Sequence, residues 1–324
     1  MGVSTNTGET YDHTTIREDI HEALISITPT ETPLMAAIGS GKADSTYTEW
    51  VEVDLASVDT SNRVIEGESA PGNDAPTAGV RRSNYTQISD KVVEVSHTAD
   101  AVNGVGDAQT TAKQMYFKMK ELKRDMEQML GGVNVAASAG ASGTARQSAS
   151  LSAFLTTNTD RGSGGADGTL SGTTAGYPNA AATDGTLRAL TETIFNDVIA
   201  ACWDAGAEPS LVLCGSGAKQ KISSTFTGSA TRYKDIQDKT LSRAIDIYVS
   251  DFGELTIAPS RFVRSRDIFV LDPSMAQVKW LQKTKQKDLA ETGHSKRKML
   301  YGEYTLCVDS EKAHGVVADV NPAL

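Results

Sequence analysis

Apolar residues recur at alternating steps of four and three through 107–130, where Ala108, Ala112, Met115, Met119, Leu122, Met126 and Met129 fall on one line. That spacing marks a helix with one buried face and predicts about 35 Å of helix, at the usual rise per residue. Lys113, Lys118, Lys120, Glu121, Lys123, Arg124, Asp125 and Glu127 fill the other faces, so the helix is expected to lie along a body with its charges in water. Asp107 is expected to cap its start, and Gly131 with Gly132 to end it in a left-handed turn. A second helical stripe, Ile16, Ile20, Ala23, Leu24 and Ile27, follows a Thr-, Gly- and Ser-rich leader and precedes Pro29 and Pro33. A helix so placed has no core of its own and reads as an arm that docks elsewhere, another subunit included.

The period changes to two over 45–55, with Tyr47, Val51, Val53 and Leu55 on one side and Trp50, Glu52 and Asp54 on the other. A second strand is expected over 85–96, with Ile88, Val92, Val93 and Val95. The intervening 57–82 hold Asp59, Glu66, Glu68 and Asp74, the bases Arg63, Arg81 and Arg82, and Gly and Pro turn residues. This pattern predicts a long hairpin with a polar tip. Two strands alone bury too little to be stable, so support is expected from outside the domain, most simply from a neighbouring copy of the chain.

Residues 133–185 are dominated by Ala, Gly, Ser and Thr. Apart from a short element at 150–155, they read either as an exposed insertion over 158–186 or as a linker between domains. Beyond them the expectation is a helix over 186–205, a strand at 210–214 and a helix over 215–226. Short strands should follow near 245–249, 255–257, 268–271, 278–281, 304–308 and 316–320. The class is α+β.

Composition narrows the function. The 324 residues are 39% hydrophobic and 22% charged with mean hydropathy −0.30, so much of the chain is expected to be surface or extended. A formal charge of −10 argues against a general nucleic-acid coat, because phosphate binding needs clustered Lys and Arg. The stretch 279–298 is locally basic and reads as a solvated face or as a patch that meets acidic neighbours or nucleic acid. Cys202, Cys214 and Cys307 have no paired spacing and read as reduced, buried thiols. There is no basic-then-apolar leader and no apolar run of ~18 residues, so neither a signal peptide nor a membrane span is expected.

Catalytic patterns are missing from the sequence. The five histidines show no ligand spacing, no serine sits in GxSxG, and the carboxylates resemble solubilising surface. Neither a metal, a cofactor nor a catalytic residue is assigned, and the chain is not expected to be an enzyme. Gly215-Ser216-Gly217 between strand and helix invites a phosphate-loop reading but lacks the rest of that signature; helix capping accounts for it.

The order of arm, hairpin, long helix, mixed region and strand-rich return resembles the HK97-fold major capsid proteins of tailed phages. Sharper resemblance lies in Phe269-Val270-Leu271-Asp272-Pro273, Leu289-Ala290-Glu291-Thr292-Gly293, Gly302-Glu303-Tyr304-Thr305-Leu306 and Glu311-Lys312-Ala313-His314-Gly315, which are similar to the tail of the phage SU10 head-protein group. The resemblance implies an N-terminal arm (1–44), an extended loop (45–96) and a peripheral domain with the spine helix and the small-residue insertion (97–185). It further implies an axial domain (186–270) and C-terminal strands returning to the peripheral domain (271–324). Arg63, Glu66, Glu68, Arg81 and Arg82 would then be loop-tip contacts between subunits, Ile16, Ile20 and Leu24 would dock the arm, and Met115, Met119, Leu122 and Met126 would pack the spine helix.

The implied function is a structural protein of hexamers and pentamers that encloses double-stranded DNA in a virion. It would be assembled in the bacterial host cytoplasm, with portal and scaffolding or decoration proteins as partners, with DNA held nonspecifically inside and with no membrane. No lysine lies between Lys42 and Lys91 and no long scaffolding segment precedes the arm, so a separate scaffold is expected and covalent cross-linking is not. The alternatives are an encapsulin-like compartment, another self-assembling phage structural protein, or a nucleotide-binding enzyme using the Gly215 turn.

Overall fold

Two sheets, one long helix and a projecting hairpin organise the chain. The computed structural model describes residues 28, 30–67, 69, 75–102, 110–172, 176–225, 246–291 and 293–321. In chain order these form α1 (Pro33–Ala37), β1 (Gly39–Lys42), β2 (Tyr47–Glu52), β3 (Val80–Tyr85), β4 (Gln87–Ser96), α2 (His97–Ala101) and α3 (Thr111–Glu127). Then come α4 (Leu151–Phe154), β5 (Thr159–Asp160), β6 (Thr169–Leu170), β7 (Pro178–Ala180), α5 (Glu192–Asp204), β8 (Leu211–Cys214) and α6 (Ser216–Thr225). The remainder is strand-rich: β9 (Ile247–Ser250), β10 (Gly253–Pro259), β11 (Ile268–Leu271), β12 (Ala276–Asp288), β13 (Ser295–Val308) and β14 (Gly315–Val317).

One sheet has the order β1-β12-β13-β4, and α3 lies across it, packing Met115, Leu122 and Met126 into a core with Val93, Val95 and Leu300. The other has the order β5-β14-β11-β8-β10-β9. Its central strands β8 and β11 are sandwiched, so their sequences are continuous apolar runs rather than alternations. Phe195, Val198, Ile199 and Cys202 of α5 and Ala218 and Ile222 of α6 join Val212, Cys214, Ile268 and Val270 in one cluster, while Leu213, Phe269 and Leu271 join the core beneath α3.

The strand at 85–96 forms, but it is not the partner of 45–55. β2 pairs with β3, from Tyr47↔Tyr85 to Glu52↔Val80, whereas β4 pairs along ten residues with β13. The chain changes sheets at the buried Thr86, whose hydroxyl donates to Glu303 Oε1 at 2.6 Å, next to Asn84, whose Nδ2 donates to the Leu306 carbonyl at 2.8 Å. The ladder with β13 places Val93 and Val95 under α3, a burial that a free hairpin does not offer.

The long helix is also shorter than expected. α3 spans 17 residues, roughly 25 Å, and Asp107 and Ala108 lie outside the described residues. Asp100 of α2 caps it instead, accepting the Thr111 N–H at 3.0 Å; its hydrogen bonds from Lys296 and Thr111 hold its carboxyl at about 2. At the other end Gly131 and Gly132 sit in a π turn, Gln128–Gly132, and neither is left-handed. Their role is close approach: a Cβ on Gly131 would lie 2.6 Å from Leu34 Cδ2, and one on Gly132 would strike the Phe262 carbonyl.

The small-residue region is not a linker. Ser148, Ser150, Leu151, Ala153 and Leu155 are buried, and the Gly162 and Gly185 N–H groups both donate to Asp319 Oδ2 at 3.0 Å. The strands expected at 278–281 and 304–308 are parts of a ribbon of 13 and 14 residues. Register shifts between Trp280 and Lys285 and a run of exposed lysines conceal its period in the sequence.

Candidate assembly interface

The β2–β3 hairpin is inverted relative to an ordinary half-buried strand pair. Its inward side is polar: Glu52 is buried, the Arg82 Nε donates to it at 3.0 Å, and the Ser310 hydroxyl donates to its other oxygen at 3.0 Å. Trp50 anchors the same side against Phe154, with ring centroids 6.0 Å apart. Its outward side carries the aliphatic residues. Val51 is 60% exposed, Leu55 87% and Val58 92%, with Val53 between them and Val64 and Ile65 exposed toward the tip. A run of exposed aliphatic residues along 51–58 is a candidate contact surface, because water-exposed aliphatic side chains gathered in one segment are costly to leave open.

The expected site residues divide. Arg63 and Glu66 are exposed in the loop with no ion pair to any described residue, and Arg81 is exposed on β3. Arg82 does not belong with them: its ion pair with Glu52 fixes it inside the chain, since an unpaired buried carboxylate at that place would be costly. Glu68, Ile16, Ile20 and Leu24 lie outside the described residues. On α3, Met115, Leu122 and Met126 are buried as expected, but Met119 is 39% exposed. The true stripe continues through Glu127 and Leu130 instead.

Glu127 gave no signal in the sequence, where it was one charge among eight. It is 1% exposed, and its carboxylate accepts the Leu34 N–H at 2.7 Å and the Met35 N–H at 2.9 Å. Pro33 and the absence of a side-chain cap at Thr32 leave the start of α1 dependent on it. Burial pushes its carboxyl above the usual range. An acid four residues before a double glycine, facing a Pro-initiated turn far away in sequence, has no local pattern to betray it.

Elsewhere the chemistry is muted. Burial pushes the Cys202 and Cys214 thiols up to about 11, which keeps them protonated at neutral pH. No group of three metal-binding side chains occurs among the described residues. At the Gly215 turn, the Lys219 ammonium is held by Asp246 at 3.2 Å and by the Ile257 carbonyl at 3.0 Å, so it is committed to the fold.

A family model described as the SU10 major capsid protein matches residues 3–321. The chain belongs to the SU10 major capsid protein family. Within reach of this family, a major capsid protein of Escherichia phage Phieco32 is 39% identical over 105 residues, which is 32% of this chain and 29% of that protein. The chain therefore matches less than a third of that relative's length. Among solved structures, one from Mycobacterium phage Adephagia aligns at TM-score 0.60 and 13% identity, covering 98% of this chain and 99% of the other. The holo-SrpI encapsulin complex of Synechococcus elongatus PCC 7942 aligns at 0.58 and 10% identity over 98% and 97%. The phage G major capsid and decoration protein structure aligns at 0.57 and 8% identity over 99% and 100%. The SU10-family chain thus has the HK97-like fold of phage capsids and encapsulins.

Proposed function

We propose that the chain is the structural subunit of an icosahedral phage head, forming hexamers and pentamers that close around double-stranded DNA. Membership of the family supports the capsid role, and the single observation that carries the mechanism is the run of exposed aliphatic residues Val51, Val53, Leu55 and Val58. A run that its own subunit leaves open is covered when the loop lies on a neighbour. Many such contacts, each modest, stay reversible during assembly and become durable together. Portal, scaffolding or decoration proteins and nonspecific DNA contact inside the head complete this reading. So do assembly in the host cytoplasm and the lack of an enzymatic role.

In this assignment the four-stranded sheet with α3 is the peripheral domain, and the six-stranded sheet with α5 and α6 is the axial domain. The reaching loop narrows to 53–79, because β4 belongs to the peripheral sheet. The last 54 residues serve both domains, since β14 pairs with β11 in the six-stranded sheet. The docking arm, with Ile16, Ile20 and Leu24, narrows from 1–44 to the residues before α1, because Leu34 and Met35 bond to Glu127 and β1 pairs with β12 in the four-stranded sheet.

The test replaces 54–79 by a short turn, keeping the Glu52–Arg82 pair. The expected product is soluble and cooperatively folded, yet gives no closed particles by light scattering and negative-stain microscopy. Normal particles would refute the loop's role. An encapsulin-like compartment is the second reading, favoured by the SrpI likeness; protein cargo in place of nucleic acid inside purified particles would distinguish it.

A further inference from the structure

We propose that the β6–β7 hairpin is a strut that sets the direction in which the loop 53–79 leaves the subunit, with Gly176 and Tyr177 as its positioning residues. The inference rests on the capsid reading and gives the small-residue region a part in it.

The loop is long and its base is narrow. Of its 27 residues half lead out and half return, so the tip stands at most about 45 Å from the ends of β2 and β3. A swing of roughly 10° at the base would carry such a tip about 8 Å, more than the spacing of neighbouring strands. Two strands resist this bending poorly, since a lone hairpin is only marginally stable.

β3 has a second partner. On the edge away from β2, Arg82 forms a parallel bridge with Gly176. The Gly176 N–H donates to the Arg81 carbonyl at 2.8 Å, and the Ser83 N–H donates to the Gly176 carbonyl at 3.2 Å. Ser83 is buried, so loss of that carbonyl would leave a buried donor without an acceptor. The bridge demands glycine: Gly176 has φ +95°, and a Cβ there would lie 2.1 Å from Ser171 Oγ. Next to it stands Tyr177, the single aromatic residue of 158–186. Its ring meets that of Tyr85 edge-on at 5.0 Å and that of Tyr47 at 6.4 Å, while Tyr47 and Tyr85 pack together at 4.8 Å. Tyr47 opens β2 and Tyr85 closes β3, so one ring braces both strands at the hairpin's root.

The strut is itself anchored. The Ser171 N–H donates to the Tyr177 carbonyl at 2.9 Å, and the Ser171 hydroxyl accepts the Tyr177 N–H at 3.2 Å. The Pro178 carbonyl accepts at 2.8 Å from the N–H of Ala137, shortly after the π turn that follows α3. A continuous run of contacts thus joins the end of the long helix to the outer edge of β3. The Glu52–Arg82 pair and Trp50 hold one face of the hairpin, and the strut holds its edge. Restraint of a face and an edge together opposes bending in both directions.

The experiment compares wild type with Gly176→Ala and Tyr177→Ala by amide exchange at Ser83 in dissociated subunits, by subunit melting, and by particle size in light scattering and microscopy. Gly176→Ala is expected to speed Ser83 exchange about ten-fold or more, because the bridge opens while the body stays folded. Both variants are expected to give open or unevenly sized particles where wild type gives one size. Tyr177→Phe keeps the ring and is expected to assemble as wild type does. Ile199→Val, in the cluster under α5, controls for ordinary loss of stability. Uniform wild-type particles from a variant whose Ser83 amide exchanges freely overturn the proposal. So does an Ile199→Val chain that gives the same irregular particles at the same melting temperature. Should Gly176→Ala yield no folded subunit, Tyr177→Ala decides by the same readings. A wild-type chain that forms no shell under any condition would instead overturn the capsid reading, and Ser83 exchange would still test the bridge.

Discussion

Removing the Glu127 carboxylate isolates one contact that ties the start of the described chain to the end of the long helix. In Glu127→Ala the Leu34 and Met35 N–H groups lose their acceptors at 2.7 and 2.9 Å, and Leu34 is buried. A buried donor left unsatisfied costs about 1–3 kcal/mol, so two cost about 2–6 kcal/mol. Part of this is returned, because a buried carboxylate with no cation among its principal influences is itself unfavourable. A net loss of about 3 kcal/mol is expected for Ala. Glu127→Gln retains one carbonyl acceptor and should lose about half of that.

The carboxyl's raised pKa also fixes a sign. The folded state holds this proton more tightly than the unfolded chain does, so its contribution to stability is greatest in acid and declines as pH rises through the folded pKa. Urea unfolding of dissociated subunits at several pH values measures both effects, and Gln should abolish the Glu127 share of that slope. Amide exchange at Leu34 and Met35 reads the local consequence. Unchanged protection there in the Ala variant would refute the reasoning, whatever happened to global stability.

Other outcomes follow from burial and pairing. Leu122→Ala should cost about 2–5 kcal/mol by subunit unfolding, while Met119→Ala, on the same expected stripe but 39% exposed, should cost under about 1 kcal/mol. Arg82→Ala strands the buried Glu52 and should lower subunit stability by about 3 kcal/mol, whereas Arg63→Ala at the exposed loop should leave unfolding unchanged within about 0.5 kcal/mol and act, if anywhere, on assembly.

What the sequence revealed follows from how far each signal reaches. The helical stripe of α3, the sandwiched strands β8 and β11 and the helices α5 and α6 declare themselves through local periodicity, and the structure places them within a few residues. Partner choice is not local. The alternation through 85–96 is correct for β4, yet nothing in it says that the partner is β13, about two hundred residues away, rather than β2. The face of β2 was open to misreading for a different reason. Val51, Val53 and Leu55 look like a core face, but the inward side is held by Glu52, Arg82 and Trp50, whose partners Ser310 and Phe154 come from remote segments. Small residues misled too: Gly162 and Gly185 resemble an exposed loop in composition, yet both N–H groups are tied to the buried Asp319 from the far end of the chain.

The long reach of the sheet pairings bears on timing during synthesis. Asn84 bonds to Leu306, Thr86 to Glu303, and β4 finds its ladder only in β13, while β11 is flanked by β14. The four-stranded sheet is not complete on a ribosome-bound chain until Val308 has emerged, nor the six-stranded one until Val317 has. Contacts separated by more than two hundred residues make a slow, late-closing topology. The polar inward face of the hairpin, which docks on Ser310, is likewise unsupported until then. A chain whose synthesis stops before Ser310 thus lacks the support that holds the hairpin's polar face against the body, and the fold itself keeps unfinished chains from presenting the hairpin in its final place.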